Sequence, residues 1–402
     1  MSIQAGLGIS TDKDSLKAVR EAALQARQRL DGNASPNVAI VFSSIEFAHL
    51  TMLKTISSMF GHIDVLGCST TAVLCNQGVF RHAVAVLLLN MSPDTYYTTG
   101  SITDIKYKTA IKAGEEFGEK LLAGLKSARR DLGIIFSDGL IDKSSNLIYG
   151  MQERLGTSFP VVGALAMDNL RYSKTFVYYN QSVESDAACG LILGGGVNFG
   201  LGIRHGWKPL GKPRYITRAS GNIAYEIDDI PAATVYEDYL DCDIKELRLE
   251  LRRIGTFYPI GIYLQGEEEY LLRNITDIGE DGSLILQGNI PENSQIRLMI
   301  GTKETCFTAA EQAVHEAKEA LSVKTGACPR IKFALVFDSI SRYMLLGRDA
   351  EKEVEAVKRA VGPGVPVIGL YTYGEQGPLK SIDYHGKVYL HNQTISVLLV
   401  GE

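Results

Sequence analysis

Basic residues are not in excess in this sequence. Its 41 Lys and Arg are outnumbered by 46 Asp and Glu, leaving a net charge of −5. It therefore lacks the basic stripe by which proteins usually bind nucleic acid. Six cysteines (Cys68, Cys75, Cys189, Cys242, Cys306, Cys328) are scattered without a CxxC pair or a zinc spacing. That pattern points to reduced thiols rather than a disulfide framework or a metal knot. No basic-then-apolar leader opens the chain, where Asp12 and Asp14 arrive early. The longest uniform apolar run, residues 83–89, is far too short to cross a bilayer. The triplet Gly194-Gly195-Gly196 follows a strand but precedes no helix, so it reads as a bend rather than a phosphate loop. The expectation is a soluble, cytoplasmic protein with no nucleic-acid or membrane partner.

What is present is a repeat. Hydrophobic content of 45% and charged content of 22% over 402 residues suit two or three globular domains. Three times an apolar run ends in Phe followed by small polar or acidic residues: Phe42-Ser43-Ser44, Phe136-Ser137-Asp138 and Phe337-Asp338-Ser339. Three times a second short run stops at a glycine and opens into a polar loop: Gly67-Cys68-Ser69-Thr70, Gly163-Ala164-Leu165-Ala166 and Gly369-Leu370-Tyr371-Thr372. Gly8, Gly100 and Gly301 precede the Phe strands at near-constant spacing.

Between these anchors the periodicity predicts helices. Residues 16–30 carry apolar positions at helical spacing after a capping box from Thr11 and Asp14. Further helices are predicted over 47–60, 108–128, 145–155, 303–322 and 351–361. The first unit is closed by a strand over 79–89. Hairpins close the other two: residues 176–179 with 187–193 about Asn180-Gln181, and 388–389 with 395–400. The segment 199–300 reads differently, as a helix over 222–239 broken at Pro231 followed by short strands. The third unit then restarts at residues 295–300.

The predicted fold class is α/β, with mixed sheets flanked by helices. It is built from three strand-helix-strand-helix-strand-hairpin units with a β-rich segment between the second and third. Units of this kind imply parallel pairing through right-handed crossovers, with antiparallel strands added by the hairpins. Ligands in such sheets gather beyond the carboxyl ends of the strands. Those ends carry hydroxyls, carboxylates and amides, a composition suited to a small zwitterionic or hydrogen-bonding ligand.

With these residues laid out, the chain resembles FIST-domain proteins along nearly its whole length. The resemblance rests on six ordered stretches: Gly67–Thr70, Phe136-Ser137-Asp138-Gly139, Gly163–Ala166 with Asp168-Asn169, Arg204-His205-Gly206-Trp207, Tyr371–Glu375 and His391-Asn392-Gln393-Thr394. It implies a FIST N-terminal domain over 1–207, in two units (1–92 and 93–207). A FIST C-terminal domain would cover 208–402, with a β-rich segment over 208–300 and a third unit over 295–402. It also implies a sensory module of bacterial or archaeal type that binds an amino-acid-like ligand. Such a module signals through a separate protein, such as a histidine kinase or a cyclic-dinucleotide enzyme, and a homodimer is one arrangement it allows. No output domain is expected after Glu402, so the signal is expected to pass to a separate protein. Some full-length relatives resemble nitric-oxide-responsive haem sensors. The chain departs from the family where Thr71-Ala72-Val73 replaces a small-Gly-Glu continuation, and at Ser339 and Ser341-Arg342.

Several residues are candidates for a site. Cys68 at a strand end is either a nucleophile activated by backbone N–H groups or a small thiol in a turn. Ser69, Asp138, Asp168, Asn169, Arg204, Tyr371, Tyr373 and Glu375 are ligand candidates, because ionised carboxylates ending apolar strands need partners. The alternative for the acids is capping of the following turn. His205 or His391 is the axial ligand if haem is bound, and otherwise a hydrogen-bonded brace. His49, His62 and His315 read as solvated, and Glu267-Glu268-Glu269 as a solvated turn.

Overall fold

In the computed structural model the described residues are 3–30, 32, 34–125, 129–267, 269–326, 329–379 and 387–402. They form three six-stranded mixed sheets flanked by helices, plus an eight-stranded antiparallel sheet. Asp31, Asn33, residues 126–128, Glu268 and Cys328, which the sequence reading used, lie outside the described set.

Helices are numbered α1 Ser15–Gln28, α2 His49–Phe60, α3 Ala110–Ala123, α4 Ser144–Leu155, α5 Thr234–Leu240, α6 Ile244–Leu249, α7 Leu251–Phe257, α8 Lys303–Thr325, α9 Ile340–Leu346 and α10 Ala350–Val361. The long ones fall where the 3.6 period placed them. The cap of α1 is Asp14 itself, whose carboxylate accepts the Lys17 N–H at 2.8 Å.

The three sheets share one strand order. In unit 1, Ile3–Ser10 lies at the edge, then Val84–Met91, Val38–Ser44 and Asp64–Thr70. Unit 2 repeats this with Tyr96–Ile102, Ala188–Gly194, Arg130–Ser137 and Val161–Leu165; unit 3 does so with Asn198–Arg204, Ile395–Gly401, Ile331–Ser339 and Val367–Thr372. Only the last two strands of each set run parallel.

The fifth and sixth strands of every sheet are borrowed. The hairpin Val73–Cys75/Gly78–Phe80 of unit 1 completes the sheet of unit 3. That of unit 2, Val177–Tyr179/Ser182–Glu184, completes unit 1, and that of unit 3, Glu375–Pro378/Val388–His391, completes unit 2. The expected closing strand over 79–89 and the two expected hairpins are therefore divided between sheets. Their inner halves pair with a neighbouring unit, and their outer halves stay at home.

Close approach makes this exchange possible. A Cβ on Gly67, Gly163 or Gly369 would lie 1.8, 2.2 and 2.2 Å from the carbonyl oxygen of Val41, Ile135 and Val336. Only glycine fits there. The incoming hairpin presents Tyr178, Gln376 and Leu74 opposite these glycines. Thr70 Oγ1 donates to the Tyr371 carbonyl at 2.7 Å, Thr372 Oγ1 to that of Leu165 at 2.6 Å, and Ser69 Oγ to that of Met167 at 3.0 Å. The three loops thus interlock as a ring. At its centre Phe42 meets Phe136 edge-on at 5.4 Å, and Phe136 meets Phe337 at 5.9 Å.

The strand order also relocates the start of unit 3. Its first strand is Asn198–Arg204, paired with Ile395–Gly401, whereas Gln295–Ile300 belongs to the eight-stranded sheet. The β-rich segment is thus inserted between the first strand and first helix of unit 3, and it has its own core around Ile216, Tyr236, Leu271 and Leu298. Within it the expected helix over 222–239 is replaced by strands Ile223–Ile227 and Ile230–Pro231, and only then α5.

Candidate functional site

A cavity of about 420 Å³ opens where the inserted segment faces units 2 and 3. Its floor is made from strand ends. Leu165 ends one central strand, and Gly139, Ile340 and Tyr373 follow shortly after three others. The inserted segment supplies the opposite wall: Leu251, Arg252 and Thr256 of α7, with Asn274–Thr276 and Ile285–Asn289. A size of this order suits a small molecule.

Both charge signs are present and uncommitted. Asp142, Lys143 and Arg252 line the cavity, and none has an ion-pair partner among the described residues. Leu140, Ile141, Leu286, Ile340 and Met344 supply apolar wall. Asn274 Oδ1 is buried without a hydrogen-bond donor.

One wall is held by Asp168, a fully buried carboxylate. It accepts the Tyr373 hydroxyl at 2.6 Å and the backbone N–H groups of Tyr172, Ser173 and Lys174 at 3.1, 2.7 and 2.9 Å. Burial alone opposes ionisation, but these donors outweigh it and hold the carboxyl below its usual range. The loop it organises is strained: Asn169, Leu170 and Tyr172 all have φ between 51° and 60°. Tyr172 stacks on Tyr373 at 4.8 Å, and the Arg252 guanidinium lies over its ring at 5.6 Å. Units 2 and 3 and the inserted segment therefore meet at this wall.

Sequence profiles of the FIST N domain and the FIST C domain match residues 37–230 and 232–378. The chain belongs to the FIST family. FIST domains are sensory domains. Among curated proteins, an uncharacterized protein of Methanocaldococcus jannaschii is 23% identical over 300 residues, covering 69% of this chain and 56% of the relative. The chain thus spans about half the length of that relative. An uncharacterized protein of Mycobacterium tuberculosis is 22% identical over 407 residues, 99% of both chains. Among solved structures, a chorismatase aligns over the full length of both chains with a TM-score of 0.38 and 9% identity. A cyanuric acid hydrolase from A. caulinodans aligns with a TM-score of 0.36 and 8% identity. Likeness at that level transfers no chemistry.

Of the residues singled out from the sequence, Tyr373 lines the FIST cavity and Asp168 stands directly behind it. Asn169 borders the same loop, its N–H bonded to Thr71 Oγ1 and its amide to Glu46. The others lie elsewhere. Cys68 is wholly buried in the ring core, where burial and then Cys189 push its thiol well above the ordinary range, a setting that disfavours the thiolate. Ser69 bridges units 1 and 2. Asp138 caps its own turn, accepting from Leu140 N–H at 2.8 Å and from Thr175 and Asp186. Arg204 pairs with Glu316 and Glu269. Tyr371 and Glu375 belong to a buried cluster under α9.

The histidines do not fit a haem ligand. His205 Nδ1 accepts the Trp207 N–H at 2.9 Å, and its Nε2 lies 2.6 Å from Glu269. His391 is buried with Nε2 3.0 Å from the Gly377 carbonyl, and burial pushes it down to about 4. Neither lines the cavity. Glu269 is thus an ion-pair partner rather than part of a solvated turn. His49 is buried too, its Nδ1 2.8 Å from the Tyr178 hydroxyl, whereas His62 and His315 are exposed.

The residues that sequence reasoning missed are those of the inserted segment, Arg252, Thr256, Asn274 and Gln287, together with Lys143. No local signal marked Arg252, which stands beside Arg253 in a polar stretch.

Proposed function

We propose that this FIST protein senses an amino-acid-like ligand bound in the cavity between the inserted segment and units 2 and 3. The ligand carboxylate faces Arg252 and Lys143, its ammonium group faces Asp142, and its side chain packs against Leu286, Ile340 and Met344. The observation that carries this reading is a small cavity holding an acid and two bases without ion-pair partners among the described residues, beside apolar wall. A zwitterion satisfies all three charges at once. Binding draws the inserted segment toward the ring and shifts an existing balance between two arrangements. The signal passes to a separate protein, such as a histidine kinase or a cyclic-dinucleotide enzyme.

Thermal melts with the twenty amino acids added singly test the reading. At about a hundred times its dissociation constant, the cognate ligand stabilises the fold by roughly 2.7 kcal/mol. Arg252→Ala and Asp142→Asn each weaken that ligand about tenfold or more while leaving the unliganded melt nearly unchanged, as expected for charged hydrogen bonds of about 1.5 kcal/mol or more. A panel without any stabilising amino acid, or a ligand indifferent to both substitutions, sinks the proposal.

A further inference from the structure

Ser43, Ser137 and Asp338 occupy the same position in the three units, one residue after the central Phe. In unit 1 the Ser43 hydroxyl meets Tyr178 at 2.8 Å, and in unit 2 Ser137 Oγ accepts from Gln376 Nε2 at 2.9 Å. Both partners come from the exchanged hairpin. In unit 3 the corresponding hairpin residue is Leu74, which has no polar atom for Asp338.

Asp338 sits instead in a cluster with no solvent contact. Arg342 Nε of α9 is 3.2 Å from its carboxylate, and the same guanidinium bonds Glu353 of α10 and the carbonyls of His205 and Cys306. Glu375 lies near enough to raise Asp338 further, and Tyr371, Tyr343, Cys306 and, opposite Glu375 on the next strand, His391 complete the surroundings. Two buried carboxyl groups thus share one guanidinium, and a third, Glu375, lies close by, bonded to Thr394. Asp338 and Glu353 both lie against that guanidinium away from water, and both Asp338 oxygens and Glu353 Oε2 lack a hydrogen-bond donor, an arrangement that favours a proton on one of the pair. Burial, and after it the Glu353 charge, favour Asp338 as its holder, while burial raises Glu375 to about 8.

A cluster of this kind is a poor way to gain stability. Units 1 and 2 do without it at the same position. Unit 3 departs from them a second time by inserting α9 before α10, and α9 turns Ile340, Ser341 and Met344 to the cavity. The buried acids and the cavity wall are therefore opposite faces of one short helix.

We propose that the Asp338–Glu353 pair stores a proton, and that its loss or gain re-seats Arg342 and so moves the Ser341–Met344 face of the cavity. Arg342 is then a positioning residue, and ligand affinity is tied to pH through it. This rests on the cavity being the ligand site.

The test uses the full chain without ligand. With methyl-¹³C methionine, the Met344 signal is assigned through Met344→Leu and followed by NMR from acid to alkaline pH. Infrared spectra in D₂O follow the protonated carboxyl band over the same range. Because Glu375 also holds a proton near neutral pH, the spectra are taken in Glu375→Gln, where the expected result is a carboxyl band at neutral pH and a Met344 shift that titrates with it, both lost when Asp338→Asn is added. If that variant does not fold, Glu353→Gln serves in its place. No carboxyl band at neutral pH overturns the proposal. So does a Met344 signal that stays still while the band titrates, or one that titrates unchanged in the variant. Because no ligand enters, a failed amino-acid panel leaves this test standing, and a motionless Met344 leaves the sensor reading standing.

Discussion

In the ring, the strand-end glycines sit so close to the next strand that a Cβ on Gly369 would lie 2.2 Å from a backbone oxygen. In the inserted segment, Gly221 and Gly266 have nothing within 4 Å of where a Cβ would be, though both have positive φ. The ring is over-determined, with each close approach repeated in three units and sealed by a borrowed hairpin. At these two turns the inserted segment leaves room. The cavity lies along the line where the ring and the inserted segment meet, and Asp142, Lys143 and Arg252 line it without ion-pair partners among the described residues. The cavity's charged groups stand where the repeat is interrupted, over strand ends of units 2 and 3 that the inserted segment covers.

The strongest way to break this contrast is a methyl group. Gly369→Ala forces strand against strand and is expected to cost about 3 kcal/mol or more, whereas Gly221→Ala costs about 1 kcal/mol, the left-handed backbone penalty alone. Urea denaturation of the two variants checks it, and equal losses would remove the distinction between ring and insertion.

Glu375 tests the contrast by pH. The folded chain holds its proton up to about 8, above the ordinary glutamate value. Its contribution is therefore fully present at acid pH and is lost as pH rises from the unfolded value, about 4.3, through the folded one. Glu375→Gln removes that slope. The variant is expected to match wild type near pH 5 and to exceed it by roughly 4 kcal/mol at pH 8.5, read from melts at both pH values.

The smallest effect is expected at the seam. Tyr373→Phe deletes one donor to the Asp168 carboxylate and costs about 1.5 kcal/mol. The backbone donors remain, so the loop stays in place. Because Asp168 is held below its usual range, the stability it contributes is present at neutral pH and lost on acidification. The acid unfolding midpoint of the variant therefore moves upward. A variant with unaltered acid unfolding would show that Tyr373 is a wall of the cavity and not its clasp.

Much of the ring was legible. The Phe and Gly anchors recur at fixed spacing because every unit must build the same strand end, and the crossover helices announce themselves by period. The exchange of hairpins was not legible, since residues 73–75 pair with 368–370 and nothing local to either segment names the other. The start of unit 3 was readable and was missed. Gly6-Leu7-Gly8-Ile9 reappears as Gly200-Leu201-Gly202-Ile203, and both glycine pairs let a crossover helix lie on the strand. At the site, Asp168 and Tyr373 stood out as polar residues after apolar strands. Arg252 and Lys143 did not, because an exposed base in a polar stretch looks like any solvated residue until a second wall is brought against it.

The hairpin exchange also dictates how the chain can be made. Thr70 waits for a partner 301 residues later, so the hairpin of unit 1 emerges from the ribosome long before the sheet it belongs to. The ring closes only when the last strands arrive. A fragment ending at residue 230, where the FIST N match stops, keeps a hairpin without its sheet and a unit 2 sheet without its last two strands. Such a fragment carries open edges that invite pairing with other copies. The two family regions are thus stretches of sequence, and the smallest object that folds is the closed circle.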